Sequence, residues 1–148
     1  MARAALTKLR FPNEECERIA LLVQNHLVCY SDEWTDAAVR RFVRRVTRER
    51  IGDLYALNRA DILAKGLDAS DELSGLERLK ARVAAVLAAN DALTVKELKV
   101  SGHDIMRELG IAPSRRVGEI LERLLEMVVD DPRLNVRDTL LQLIGKMK

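Results

Sequence analysis

The chain has 148 residues, 48% of them hydrophobic and 32% charged, with 25 Lys and Arg against 23 Asp and Glu for a formal net charge of +2. That is enough apolar material to build one domain or two small ones. No apolar run approaches the ~20 residues that cross a bilayer, and no signal-peptide block stands at the N-terminus, so the expected location is cytoplasmic, away from any membrane. The two cysteines, Cys16 and Cys29, fit neither a disulfide framework nor a zinc knuckle and read as reduced, buried fillers.

Apolar residues recur at spacings of three and four along nearly every segment, and no stretch alternates with period two. The expected fold class is all-α: a helical bundle in two small subdomains joined by a longer connecting helix. In chain order, Asn13 caps a helix that turns Cys16, Ile19, Ala20, Val23 and Leu27 inward, with Glu14, Glu15 and Glu17 near its positive end. Thr35 caps the next. There Val39, Phe42, Val43 and Val46 fall in one stripe, while Arg40, Arg41, Arg44, Arg45 and Arg48 fan over the other side. A third helix runs from Glu49 to Ala64 with Leu54, Leu57, Ala60 and Ile62 inward, and Gly66 stops it.

After the polar link Leu67-Asp68-Ala69-Ser70, a helix from Asp71 to Ala89 sets Leu76, Leu79, Val83 and Val86 in heptad-like spacing, as a connecting rod or a dimer seam. Leu93 to Val100 reads as short and irregular. Ser101 caps a brief helix holding Ile105, Met106 and Leu109, which Gly110 ends. Ser114 begins another through Val117, Ile120, Leu121, Leu124 and Val128, stopped by Pro132. Asn135 caps the last, with Val136, Leu140, Leu143, Ile144 and Met147 inward. The aromatics Phe11, Tyr30, Trp34, Phe42 and Tyr55 all precede residue 56. Residues 1–66 hold twelve basic and nine acidic groups, against thirteen and fourteen in 67–148. Both breaks suggest two subdomains, 1–66 and 67–148.

The basic helix is the leading functional feature. Six arginines face two acids between Asp36 and Arg50. The planar guanidinium pairs with phosphate oxygens and stays charged, which suits a polyanion; pairing with acids on a neighbouring helix is the alternative. Arg115 and Arg116 sit in the first turn behind Ser114, where cations oppose the helix dipole unless an anion or an acid one turn on, Glu119 or Glu122, relieves them. Trp34 or Tyr30 can stack on an unpaired base or fill the core, and Phe42 belongs to the core. The pair His103-Asp104 matches the central ligands of an HD-type metal site, but the one other histidine, His26, does not complete a ligand set. No glycine-rich phosphate loop, serine elbow or Cys/His pair is present. The residues assemble neither a catalytic nor a metal site.

Several stretches together carry a resemblance that spans nearly the whole chain. They are Leu9-Arg10-Phe11-Pro12-Asn13-Glu14-Glu15, Val23-Gln24-Asn25-His26, Glu33-Trp34-Thr35-Asp36-Ala37-Ala38-Val39-Arg40-Arg41-Phe42 and Leu57-Asn58-Arg59-Ala60-Asp61. Further on come Val100-Ser101-Gly102-His103-Asp104-Ile105-Met106, Leu109-Gly110-Ile111, Pro113, Val117-Gly118-Glu119-Ile120-Leu121, Pro132 and Leu134-Asn135. The series resembles the C-terminal region of bacterial tRNA nucleotidyltransferases, the CCA-adding and poly(A) polymerase family. The resemblance implies that residues 1–66 match the end of an HD domain and the start of an RNA-binding body, and 67–148 the body and tail. It also implies that magnesium, nucleotide and the transfer residues belong to a catalytic head outside this sequence. Where relatives show two consecutive histidines the chain has Asn25-His26, and where they show Pro-Gly-Pro it has Pro113-Ser114-Arg115.

The expected function is therefore tRNA gripping, with Arg40, Arg41, Arg44, Arg45, Arg48, Arg115, Arg116 and Trp34 as contacts and the catalytic head as a further partner. A remnant metal-dependent phosphohydrolase and a structural module forming homodimers are the alternatives.

Overall fold

The computed structural model describes residues 2–28, 30–65, 69–89 and 91–147. Cys29, the Gly66 stop and the first half of the link, Leu67 and Asp68, lie outside the described residues. Eight α-helices are described: α1 (Ala2–Lys8), α2 (Asn13–Asn25), α3 (Asp36–Val46), α4 (Ile51–Ala64), α5 (Ser70–Ala88), α6 (Gly102–Leu109), α7 (Arg115–Asp130) and α8 (Arg137–Gly145). Short 3-10 turns occupy Arg48–Arg50, Val95–Glu97 and Pro132–Leu134, and no strand occurs among the described residues. The class is all-α, and no helix of the described residues is long and apolar enough to cross a membrane.

The chain divides into two compact units, 1–85 and 86–148, so the boundary falls inside the last turns of α5 and not after residue 66. Ion pairs explain why α5 belongs to the first unit over most of its length. Arg78 pairs with Asp32 at 2.9 Å and Arg82 with Asp36 at 2.6 Å, tying the helix to the segment that leads into α3. Leu76, Leu79, Val83 and Val86 are all buried, so the heptad-like seam is consumed within the chain and is not an open dimer face.

In the first unit, α3 supplies the densest core. Val39, Phe42, Val43 and Val46 are 0–2% exposed, as the stripe predicts. Thr35 caps it, its Oγ1 accepting from the Ala38 N–H at 3.2 Å. α4 departs from the expected face. Ile51, Leu54, Asn58 and Ile62 are buried, while Leu57 and Ala60 are exposed, because the helix is turned so that Asn58 takes the place expected for Leu57. Asn58 tolerates burial by donating from Nδ2 to the Leu54 carbonyl at 2.9 Å. α2 ends at Asn25, so Leu27 lies beyond it, exposed like Val23, and the inward face narrows to Cys16 with Ile19 and Ala20 half-buried. Pro12, not Asn13, takes the cap position of α2, and no side chain caps it. α1, too short to show a periodicity, is joined to α2 by the Arg3–Glu17 pair at 2.9 Å.

The second unit packs α6, α7 and α8 around a purely aliphatic core that includes Leu98, Val100, Ile105, Leu124, Val128, Leu140 and Ile144. Ser101 and Asp104 form a reciprocal capping box at the start of α6, and Gly110 ends it at φ 64°, in the left-handed region that glycine enters without penalty. Gly102 permits the close approach of α6 to α7: a Cβ there would lie 3.2 Å from Val117 Cγ1. α8 corrects the expected cap, since Val136 takes that position and is 54% exposed, while the Asn135 side chain is committed elsewhere. Ser114 precedes α7 with no side-chain cap bond.

Two substitutions check this packing by urea unfolding followed by ellipticity. Leu124→Ala is expected to cost about 2–5 kcal/mol, as a cavity in a core too aliphatic to rearrange. Thr35→Ala should cost ~1 kcal/mol; a larger penalty for Thr35→Ala than for Leu124→Ala would contradict the assignment.

Candidate nucleic-acid interface

The arginines of α3 are not equivalent. Arg40 and Arg45 flank the apolar stripe on either side, and the fold uses both. Arg40 is buried at 8% exposure, and the Arg45 guanidinium lies 5.8 Å from the centre of the Phe42 ring, a cation–π contact. Arg41 is exposed and Arg44 half-buried. Arg48 does not extend the face, because Thr47 turns to φ 71° and ends α3, placing Arg48 in the following 3-10 turn. That backbone angle is unusual for a β-branched residue. Arg40, Arg41, Arg44 and Arg48 each make an interaction within the protein. The face is thus basic, but its cations are already engaged.

Trp34 is half-buried. Its ring meets Tyr30 and Phe42 edge-on, with centroids at 5.6 and 5.9 Å, and its carbonyl accepts from Arg82. The ring is thereby part of a small aromatic cluster in the first unit.

Arg115 and Arg116 belong to the second unit, so they are described apart from α3. Arg115 pairs with Glu119 at 2.8 Å on the surface. Arg116 turns to the end of α8 and donates to the Met147 carbonyl at 3.2 Å. The strain expected from two cations in the first turn is relieved by protein groups: one acid a turn on and one carbonyl from the turn that follows α8.

The His103-Asp104 pair is divided by the fold. His103 is exposed, whereas Asp104 is buried as the centre of a polar cluster. Its Oδ2 accepts from the Ser101 backbone N–H and hydroxyl, both at 2.8 Å, and its Oδ1 accepts from Arg107 at 2.9 Å and also from Arg137. The Arg137 bonds, then those from Ser101, hold its carboxyl well below the usual carboxylate range. Its oxygens are therefore committed to protein donors, which is a structural use and not ligation. Among the described residues no three His, Cys, Asp or Glu side chains gather as metal ligands.

The stretch 93–100, expected to be irregular, is firmly held. The Glu97 carboxylate accepts from the N–H groups of Leu93 and Thr94 and from the Thr94 hydroxyl, at 2.8–2.9 Å. Asn135 bridges it from across the unit, its Oδ1 accepting from the Lys99 N–H at 3.0 Å and its Nδ2 donating to the Glu97 carbonyl at 3.1 Å. Beside this segment lies an open depression of about 490 Å³, with Lys96, Lys99, Ser101, Asp104, Leu121 and Arg137 in its wall. Lys96, Lys99 and Arg137 were not legible as a group from the sequence; the one trace is that apolar Leu98 and Val100 flank Lys99.

Comparison with known proteins places this geometry. The family described as tRNA nucleotidyltransferase domain 2 matches residues 1–144, and the chain belongs to that family. It is 36% identical over 121 residues to an A-adding tRNA nucleotidyltransferase of Deinococcus radiodurans, and 37% identical over 130 residues to a CC-adding tRNA nucleotidyltransferase of Thermus thermophilus. These alignments cover 82% and 85% of this chain but 27% of each relative. No solved structure matches it with comparable significance.

The Asp104 cluster carries a pH signature. A carboxyl whose pKa is depressed by folding stabilises the protein fully above its unfolded value of about 4, and that contribution is lost as pH falls through and below it. Asp104→Asn should therefore lower the urea midpoint of the second unit at neutral pH, and its deficit against the unsubstituted chain should shrink as pH drops below about 4. A deficit that stays constant into acid would contradict the assignment.

Proposed function

We propose that this chain is the tRNA-gripping region of a tRNA nucleotidyltransferase, working in the cytoplasm alongside a catalytic head that carries the magnesium and nucleotide chemistry. The observation that carries the reading is that the chain is similar, to nearly the same degree, to one relative named as A-adding and another named as CC-adding. A region shared by enzymes that differ in the nucleotide added is suited to handling what they have in common, the tRNA. The composition of α3 supports this, with apolar residues turned to the core and exposed Arg41 on the other side. Duplex arms of RNA are held mainly through phosphates and shape, and arginine provides planar, permanently charged donors for that purpose. Arg41, Arg44, Arg45 and Arg48 are the contacts in the first unit, where binding exchanges an internal partner for a phosphate. Arg40 acts from the buried side as a support, and Arg115 and Arg116 contribute from the second unit.

The test is titration of the chain into labelled tRNA over a range of salt, beside a duplex RNA of equal length. Tighter binding to tRNA, weakening steeply with salt, is expected. Arg41→Ala with Arg48→Ala, both exposed, should weaken it, with far-ultraviolet ellipticity unchanged. Equal affinity for tRNA and plain duplex would overturn the proposal.

A further inference from the structure

The α3 arginines are engaged within the protein, so a phosphate that binds them must displace an existing partner. The depression in the second unit presents the opposite case. Lys96 and Lys99 are exposed, and neither ammonium has a hydrogen bond or ion pair among the described residues. An incoming phosphate displaces only water and counterions at these two lysines, while Arg137 beside them stays bonded to Asp104.

We infer that Lys96 and Lys99, with Arg137 adding positive charge beside them while it holds Asp104, form an RNA-backbone contact surface of the second unit, taking the phosphates of a duplex arm; this rests on the tRNA-gripping reading above. Three observations converge on it. First, the charged residues in the wall of the depression are three cations and one acid, and that acid, Asp104, already has both oxygens bound by Ser101, Arg107 and Arg137. Second, the segment bearing the lysines is held in place before any ligand arrives. Leu98 and Val100 are buried on either side of Lys99, Asn135 clamps the Lys99 N–H and the Glu97 carbonyl, and Arg137 reaches the Lys99 carbonyl at 3.4 Å. A fixed backbone lowers the ordering cost of each contact made from it. Third, Glu97, the acid beside the lysines in sequence, directs its carboxylate to Leu93 and Thr94. A small anion needs an enclosing pocket, whereas this open depression suits a run of phosphates along a helix.

The experiment is a tRNA titration of the whole chain with Lys96→Gln and Lys99→Gln combined. Affinity should fall on the order of tenfold, and the slope of log affinity against log salt should lessen by about two. The thermal midpoint should stay where it is, because both side chains are exposed and have no partner among the described residues. Lys96→Arg with Lys99→Arg should restore binding. Wild-type affinity and slope in the Gln pair would overturn the inference while leaving the gripping role standing, provided the unsubstituted chain still prefers tRNA to duplex. Failure of the unsubstituted chain to prefer tRNA would overturn both. Displacement of tRNA by poly-glutamate as readily as by unlabelled tRNA would assign the surface to an acidic protein and also overturn the inference.

Discussion

The second unit depends on the negative charge of Asp104. One carboxylate closes the start of α6 through Ser101, takes Arg107 from the same helix, and draws in Arg137 from the first turn of α8, 33 residues away in sequence. Arg137 in turn reaches the carbonyl of Lys99, so the geometry of the lysine segment depends on the same group. A buried carboxylate with its lone pairs met by charged and neutral donors fixes several backbone stretches at once, because leaving any of those donors or acceptors unmet would be costly. The literal His-Asp pair thus acquires a meaning different from the one its chemistry invites: the aspartate is a brace and the histidine faces water.

The first unit distributes its charge by a different logic. A helix with four arginines cannot turn all of them to solvent when its apolar stripe must be buried, and the two that flank the stripe are drawn into packing. Arg40 goes under the surface and Arg45 over Phe42. The long arginine stem makes this cheap, since its methylenes cover apolar area while the guanidinium finds a partner. A basic helix is therefore also a structural helix, and its arginines differ in how freely they could exchange a protein partner for a phosphate.

The features legible in the sequence are those set by contacts within a few residues. The Thr35 and Ser101 caps, the Gly110 stop and the α3 stripe all arise from bonds or spacings of three to five positions, and they stand where the pattern puts them. The features that were not legible are set at long range. Asn135 looks like a helix cap, yet its amide bridges Glu97 and Lys99, 38 and 36 residues back, and this converts an apparently irregular loop into a fixed one. Asn58 takes a core position because its own side chain can bond a carbonyl one turn earlier, which no apolar pattern records. The α2 face narrowed for a local reason that periodicity misses, because the helix ends at Asn25 before Leu27 can join it.

The aromatic residues have an optical consequence. Trp34, with Tyr30 and Phe42 around it, belongs to the first unit, and Tyr55 lies there too, its hydroxyl without a partner among the described residues and pushed up to about 12 chiefly by burial. The second unit contains no aromatic residue. Intrinsic fluorescence therefore reports the first unit alone, while far-ultraviolet ellipticity sums both. The two signals, followed through one unfolding transition, separate the units without any label, and their coincidence or divergence measures whether the halves melt as one.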